Sequence, residues 1–193
     1  MGKTRTFIGI DIGDAIRTNT TALIKDLSKT GAAVKWVAPE SMHVTLLFLG
    51  EVDDRELHAV CKAVKEVAGG EPPFPLRVSG LGAFPTARRP KILWAGIVEG
   101  VEPLQRLNAA LEERMLELGC YRKEERGYSP HLTLGRVKAD ADSFTMAAEI
   151  PKRLAWEGGR FAVEEVLVFS SELDRDGPVY SVIGRAALSG RPA

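Results

Sequence analysis

Histidine and cysteine are scarce in this chain of 193 residues, which has three of the first and two of the second. Cys61 and Cys120 are too few for a disulfide framework and lack metal-type spacing. They read as free thiols, and the expected location is the cytoplasm. No apolar run approaches the roughly 18 residues that a membrane span needs, and the start of the chain has no apolar signal segment, so no membrane partner is expected. Met1-Gly2-Lys3-Thr4-Arg5-Thr6 fits a loose myristoylation pattern, but an apolar strand begins at once and the segment reads as the start of the fold. Charge of one sign is missing too: 26 Lys and Arg balance 26 Asp and Glu. That balance excludes coating nucleic acid through a global field and leaves room for a small local anion site. Basic residues do cluster at Arg88, Arg89 and Lys91 and at Arg122, Lys123 and Arg126, a pattern that most often marks solvated surface. A phosphate-cradling glycine loop is absent, because Gly80-x-Gly82 has no third glycine and no strand-loop-helix context.

What is present reads as alternating short elements. Strands are expected over Thr6–Asp11, Val34–Val37, Met42–Leu49 (stopped by Gly50), Phe74–Leu81, Ile92–Val98, His131–Val137, Phe161–Phe169 and Val179–Leu188. Helices are expected over Ala15–Leu27 with Asp14 as N-cap, after Asp53 or Asp54 up to Gly69-Gly70, over Val101–Leu118 closed by Gly119, and over about Ser143–Leu154. The links Gly82–Pro90 and Asp174–Pro178 are rich in turn formers. Helices fall irregularly between strand pairs, which points to an α+β fold with mixed or antiparallel sheets. Nothing in the sequence asks for more than a monomer.

Two of the three histidines sit in the same short pattern, His43-Val44-Thr45-Leu46 and His131-Leu132-Thr133-Leu134. In a strand, a His and the Thr two residues on share a face, while Val44, Leu46, Leu132 and Leu134 point the other way. The two copies lie about half a chain apart, which suggests two similar lobes facing each other across a cleft. Two imidazoles that titrate near neutral pH can act as a base and an acid on opposite sides of one bond. Two hydroxyls can hold the non-bridging oxygens of an anion as charge builds there. The set suits in-line attack at a phosphodiester. Arg136 could add a phosphate fork, but strict alternation puts it on the wrong face, so it needs a twist, a bulge or an edge position. His58 has no Thr partner and reads as surface or structural. A catalytic zinc site wants three protein ligands, and Thr occupies the i+2 position in both motifs. No Cys-His pairing supports a thiol nucleophile.

Paired His-x-Thr-x motifs resemble the 2H phosphoesterase superfamily. The wider sequence resembles its RNA 2′,3′-cyclic phosphodiesterase branch, the 2′-5′ RNA ligase family. The resemblance is carried by Trp36–Gly50, by Gly82-Ala83-Phe84-Pro85 with Arg88–Gly96, by Pro130–Val137, and by Ser171-Glu172-Leu173 with Gly177–Tyr180. Ser41 and Tyr128 stand where that family often has Asn and Phe. The resemblance implies one bilobal domain over residues 1–193, with pseudo-twofold symmetry, two small sheets backed by helices on their outer faces, and a cleft between. It implies hydrolysis of RNA 2′,3′-cyclic phosphate ends to 2′-phosphates and, in reverse, 2′-5′ joining to a 5′-hydroxyl. His43 would be the proton donor and His131 the proton acceptor. Thr45, Thr133 and Arg136 would bind substrate, with no metal or nucleotide cofactor. Two other readings remain: the same chemistry on a small cyclic phosphate, and an RNA-end binding protein without turnover.

Overall fold

The computed structural model describes residues 2–123, 127–138, 140–174 and 177–191. Strand β1 (Lys3–Asp11) leads into helix α1 (Asp14–Ser28), β2 (Val34–Trp36), a 3-10 turn over Pro39–Ser41, and β3 (His43–Asp53). Helix α2 (Leu57–Gly70), strands β4 (Phe74–Thr86) and β5 (Arg89–Glu99), and helix α3 (Val101–Glu117) follow. The chain then makes β6 (His131–Val137), α4 (Asp140–Glu149), a 3-10 turn over Pro151–Arg153, β7 (Glu157–Val163), β8 (Glu165–Asp174) and β9 (Gly177–Ala187).

Every described pairing is antiparallel. The strand order is β7-β4-β5-β6-β3-β1-β8-β9, with β2 alongside β6. The nine-stranded sheet thus consists of a half of β3, β1, β8 and β9 and a half of β7, β4, β5, β6 and β2, joined where β3 meets β6 at one residue pair, Val44 opposite Leu132. This is the expected α+β architecture. Helices cover one face: α2 packs on β8 and β9, α3 on β3, α1 on β7 and α4 on β5. Their apolar stripes carry the period of a helix, as in Ile16, Thr20, Leu23 and Leu27 of α1 and Leu104, Leu107, Leu111 and Met115 of α3. Ile8 and Ile10 of β1, Val44 and Leu46 of β3, and Val166 and Val168 of β8 meet those stripes in the main core. Burying each large aliphatic side chain there contributes roughly 1.5–3 kcal/mol. The opposite face carries a second, small cluster of Phe7, Leu167 and Phe169, with Tyr180 packed against it. Among the described residues no helix is long and apolar enough to cross a membrane.

Several boundaries differ from the sequence reading for physical reasons. Gly50 does not stop β3. It sits at positive φ beside a register shift against β1, and the strand runs on to Asp53. Asp14 is the first helical residue rather than the cap; Gly13 is the N-cap and makes no side-chain capping bond. Asp53 accepts the backbone N–H of Arg55 in the turn before α2, and Glu56 takes the N-cap position. The Gly82–Pro90 link is mostly strand, because β4 and β5 pair down to Thr86 and Arg89. Phe161–Phe169 divides at Glu164: β7 pairs with β4 in one half and β8 with β1 in the other. The last helix ends at Glu149, followed by Pro151. Gly119 closes α3 as read, with the paired bonds Gly119 N–H to Leu116 and Cys120 N–H to Met115. Part of the Asp174–Pro178 link, and Arg126 of the second basic cluster, lie outside the described residues.

Candidate active site

Val44 and Leu132 are each fully buried, and they face each other across the β3–β6 junction. Alternation turns their neighbours to the far side. His43, Thr45, His131 and Thr133 are all half-buried there, away from the helices. Continuing the antiparallel register one step each way sets His43 across from Thr133 and Thr45 across from His131. The local twofold axis therefore passes between Val44 and Leu132 and exchanges one motif for the other. In that register His43 and His131 form the diagonal pair across the junction.

Both rings are held in the same way. His43 Nδ1 lies 2.8 Å from the carbonyl of Ser41, and His131 Nδ1 lies 2.7 Å from the carbonyl of Ser129. A carbonyl oxygen can only accept, so each Nδ1 carries the proton and donates it. In the neutral ring this leaves Nε2 with its lone pair, facing away from the tether. Aromatic edges pack on each ring: Tyr180 on His43 at 5.3 Å and 89°, Phe84 on His131 at 5.0 Å and 83°. Phe7 adds a tilted contact to His43 at 4.7 Å. Burial lowers the His43 pKa; the Ser41 bond and the Asp11 carboxylate pull it up, and the charge of His131 lowers it further.

Arg136 reaches the site face through a bulge. Trp94 of β5 pairs with Thr133 and Leu93 pairs with Gly135, so Leu134 is an extra residue on β6. Beyond it the alternation is inverted, and Arg136, opposite Ile92, shares a face with Thr133 and Trp94. The first motif repeats the device: Gly9 pairs with Thr45 and Ile8 with Leu47, which leaves Leu46 unpaired. The position matching Arg136 is there Phe48, which is 55% exposed.

Several supporting residues carry no signal in the sequence. Asn108 of α3 donates to the carbonyl of Leu46 at 2.8 Å and satisfies the bulge from the helical side. Tyr128 donates its hydroxyl to the carbonyl of Thr45 at 3.0 Å, tying the approach to the second motif onto the strand of the first. Burial pushes that phenol well above its ordinary range, so it stays a donor. Arg17 bonds Asp11 at 2.6 Å, the carbonyl of Ile12, and the carbonyl of Pro39 in the turn that precedes His43. Arg17, Asp11 and Pro39 border a groove of about 550 Å³ beside His43, walled by Leu167, Phe169 and Tyr180. His58 lies exposed on α2, remote in register from both motifs. Cys61 and Cys120 are free thiols. Arg88, Arg89 and Lys91 sit exposed around the β4–β5 turn. Among the described residues no three His, Cys, Asp or Glu side chains cluster as a metal site would require.

The sequence profile of the 2′-5′ RNA ligase superfamily matches residues 17–175. A Methanothermobacter thermautotrophicus protein named RNA 2′,3′-cyclic phosphodiesterase is 34% identical over 179 residues, spanning 93% of this chain and 96% of that protein. A Thermotoga maritima protein of the same name is 32% identical over 186 residues, spanning 96% of each. Among solved structures, TT0787 of Thermus thermophilus superposes with a TM-score of 0.83 at 28% identity, covering 97% of this chain and 100% of that one. Apo LigT of E. coli gives 0.77 at 26% identity, covering 98% and 99%.

Proposed function

This chain belongs to the 2′-5′ RNA ligase superfamily, and from that premise we propose that it is an enzyme that opens RNA 2′,3′-cyclic phosphate ends to 2′-phosphomonoesters, using His43 and His131 as its acid-base pair within one bilobal domain. The observation that carries the reading is the shared tether. Each Nδ1 proton is committed to a backbone carbonyl two residues back, so each ring has one nitrogen free for chemistry.

In the proposed step, a water on the His131 side attacks phosphorus in line with the bond to O3′. His131 Nε2 takes the water proton as the new P–O bond forms. The P–O3′ bond breaks, and His43 Nε2–H gives its proton to the departing O3′. The phosphate remains on O2′. Thr45 and Thr133 donate to the non-bridging oxygens, and Arg136 adds a charge-assisted fork. His43 must start protonated, which its burial opposes in the free protein; the charge of the bound phosphate, added to that of Asp11, favours the protonated form. With a 5′-hydroxyl in place of water, the same displacement of O3′ joins the two ends through a 2′-5′ link. No step uses a metal.

An oligonucleotide ending in 2′,3′-cyclic phosphate, incubated with the protein in EDTA, is expected to yield the 2′-monoester. A 3′-monoester, or turnover that stops in EDTA, would contradict the mechanism. Tight binding without any product would instead favour the RNA-end binding reading.

A further inference from the structure

Among the described residues, two cations on the site face have no acidic partner. Lys35 on β2 lies directly across from Arg136 on β6, and both are exposed. Cross-strand partners project to the same side of a sheet, here the side of His131 and Thr133. Other strand-surface arginines, Arg77, Arg160 and Arg185, each hold a glutamate. Lys35 and Arg136 hold none among the described residues. Like charges placed directly opposite each other weaken a sheet, and an anion bound between them reverses the sign of that interaction.

The β8–β9 hairpin passes over both ends of this region. Tyr180 packs edge-on against His43, and a β-carbon at Gly177 would sit 3.9 Å from Lys35 Nζ. The Tyr180 phenol also lies within the field of the Arg136 charge. One hairpin wall therefore runs from the imidazole of the first motif to the Lys35 ammonium, with Thr133 and Arg136 on the strand beneath. By alternation Ser171 and Leu173 share the face of Phe169, whereas Glu172 and Asp174 share the other face with Gly177, which pairs with Asp174.

Resting on the cyclic phosphodiesterase reading, in which Arg136 holds the cyclic phosphate, we infer that Lys35, next to it on β2, binds the internucleotide phosphate immediately 5′ of the terminal nucleotide. Lys35 is then a specificity-determining residue: it makes the site favour an RNA end over a cyclic mononucleotide that lacks a 5′-phosphate. The cyclic phosphate sits between the two histidines within reach of Arg136, and the next phosphate along the chain meets Lys35 on the neighbouring β2.

The test uses the whole protein, Lys35→Ala and Lys35→Arg, and three substrates: adenosine 2′,3′-cyclic phosphate, the same nucleotide with a 5′-phosphate, and the dinucleotide ApA ending in a cyclic phosphate. Lys35→Ala is expected to lower the ratio of kcat/KM for the dinucleotide over the bare cyclic nucleotide about tenfold, through KM. The 5′-phosphorylated mononucleotide should follow the dinucleotide, and Lys35→Arg should restore the ratio. The salt dependence of dinucleotide KM should flatten by about 0.7 in log-log slope. Because Lys35 is exposed on an edge strand, both variants should fold, and Lys35→Ala should not lower Tm. A ratio unchanged in Lys35→Ala overturns the subsite while leaving the active-site reading standing. Wild-type protein that opens none of the three substrates overturns that reading and the subsite with it.

Discussion

The two halves of the sheet present the same reactive pair in different surroundings. Opposite His43 stands Asp11, whereas opposite His131 stands Gly96. Opposite Thr45 stands Gly9, and opposite Thr133 stands Trp94. Past the matching bulges, the first half offers Phe48 and the second Arg136. The local twofold axis is kept at the two His-x-Thr pairs and is broken in the residues opposite them. A symmetric pair of imidazoles can run a reaction in either sense. On the proposed reading, Asp11 beside His43 favours the proton on that ring, and Arg136 beyond Thr133 marks where the rest of the substrate lies.

Removing the symmetric part should cost most. His43→Ala and His131→Ala are each expected to lower kcat on a cyclic-phosphate oligonucleotide by about 10²–10⁴-fold with an unchanged melting transition, as measured by product formation and circular dichroism. On the proposed mechanism, Thr45→Val and Thr133→Val each delete one donor to the non-bridging oxygens. Each should cost about 10²-fold in kcat, with the Thr133 change the more damaging to KM because Arg136 shares its strand. Comparable KM values for the two would show that the surroundings do not distinguish the halves.

Smaller effects should follow from the supports. Asn108→Leu leaves the Leu46 carbonyl without its donor at the first bulge, and should cost about 1–3 kcal/mol of stability in urea unfolding, because that group is left unsatisfied against the core. The smallest expected effect is a pH shift in Asp11→Asn. Asp11 favours the protonated form of His43, so removing its charge lowers the His43 pKa further. An acid must be protonated to act, so activity is lost as pH rises through that value. The alkaline limb of kcat/KM should therefore move to lower pH, while the carboxamide introduced by the substitution still offers Arg17 an oxygen to bond. A limb that stays in place would mean that the carboxylate does not bias His43.

Much of this architecture could be read from local pattern. His131–Val137 became β6 at the residues expected, because a proline precedes it and His131–Leu134 alternates polar with apolar. The two His-x-Thr pairs met on one face because period-two alternation is enforced by the pleat itself. Features set by tertiary pairing were not legible. The break at Glu164 follows from β7 and β8 choosing partners in different halves, and nothing in Phe161–Phe169 marks it. The bulge at Leu134, which turns Arg136 toward the site, is a mismatch of register with β5 and leaves no trace in the Leu134-Gly135-Arg136 sequence. Asn108, Tyr128 and Lys35 lie 23 or fewer residues from a motif histidine in sequence, yet their alignment with the site depends on α3, on the approach to β6, and on β2 pairing beyond the bulge.

The central claim is that both imidazoles offer Nε2 to a single phosphate while Nδ1–H stays tied to the backbone. Long-range ¹H–¹⁵N correlation spectra of histidine-labelled protein, recorded above the His titration range and then with added adenosine 2′-phosphate, test it directly. The account predicts the Nδ1–H tautomer at both His43 and His131, and Nε2 shifts of both rings that saturate together at one equivalent. An Nε2–H tautomer at either residue, or a response confined to one ring, would contradict it.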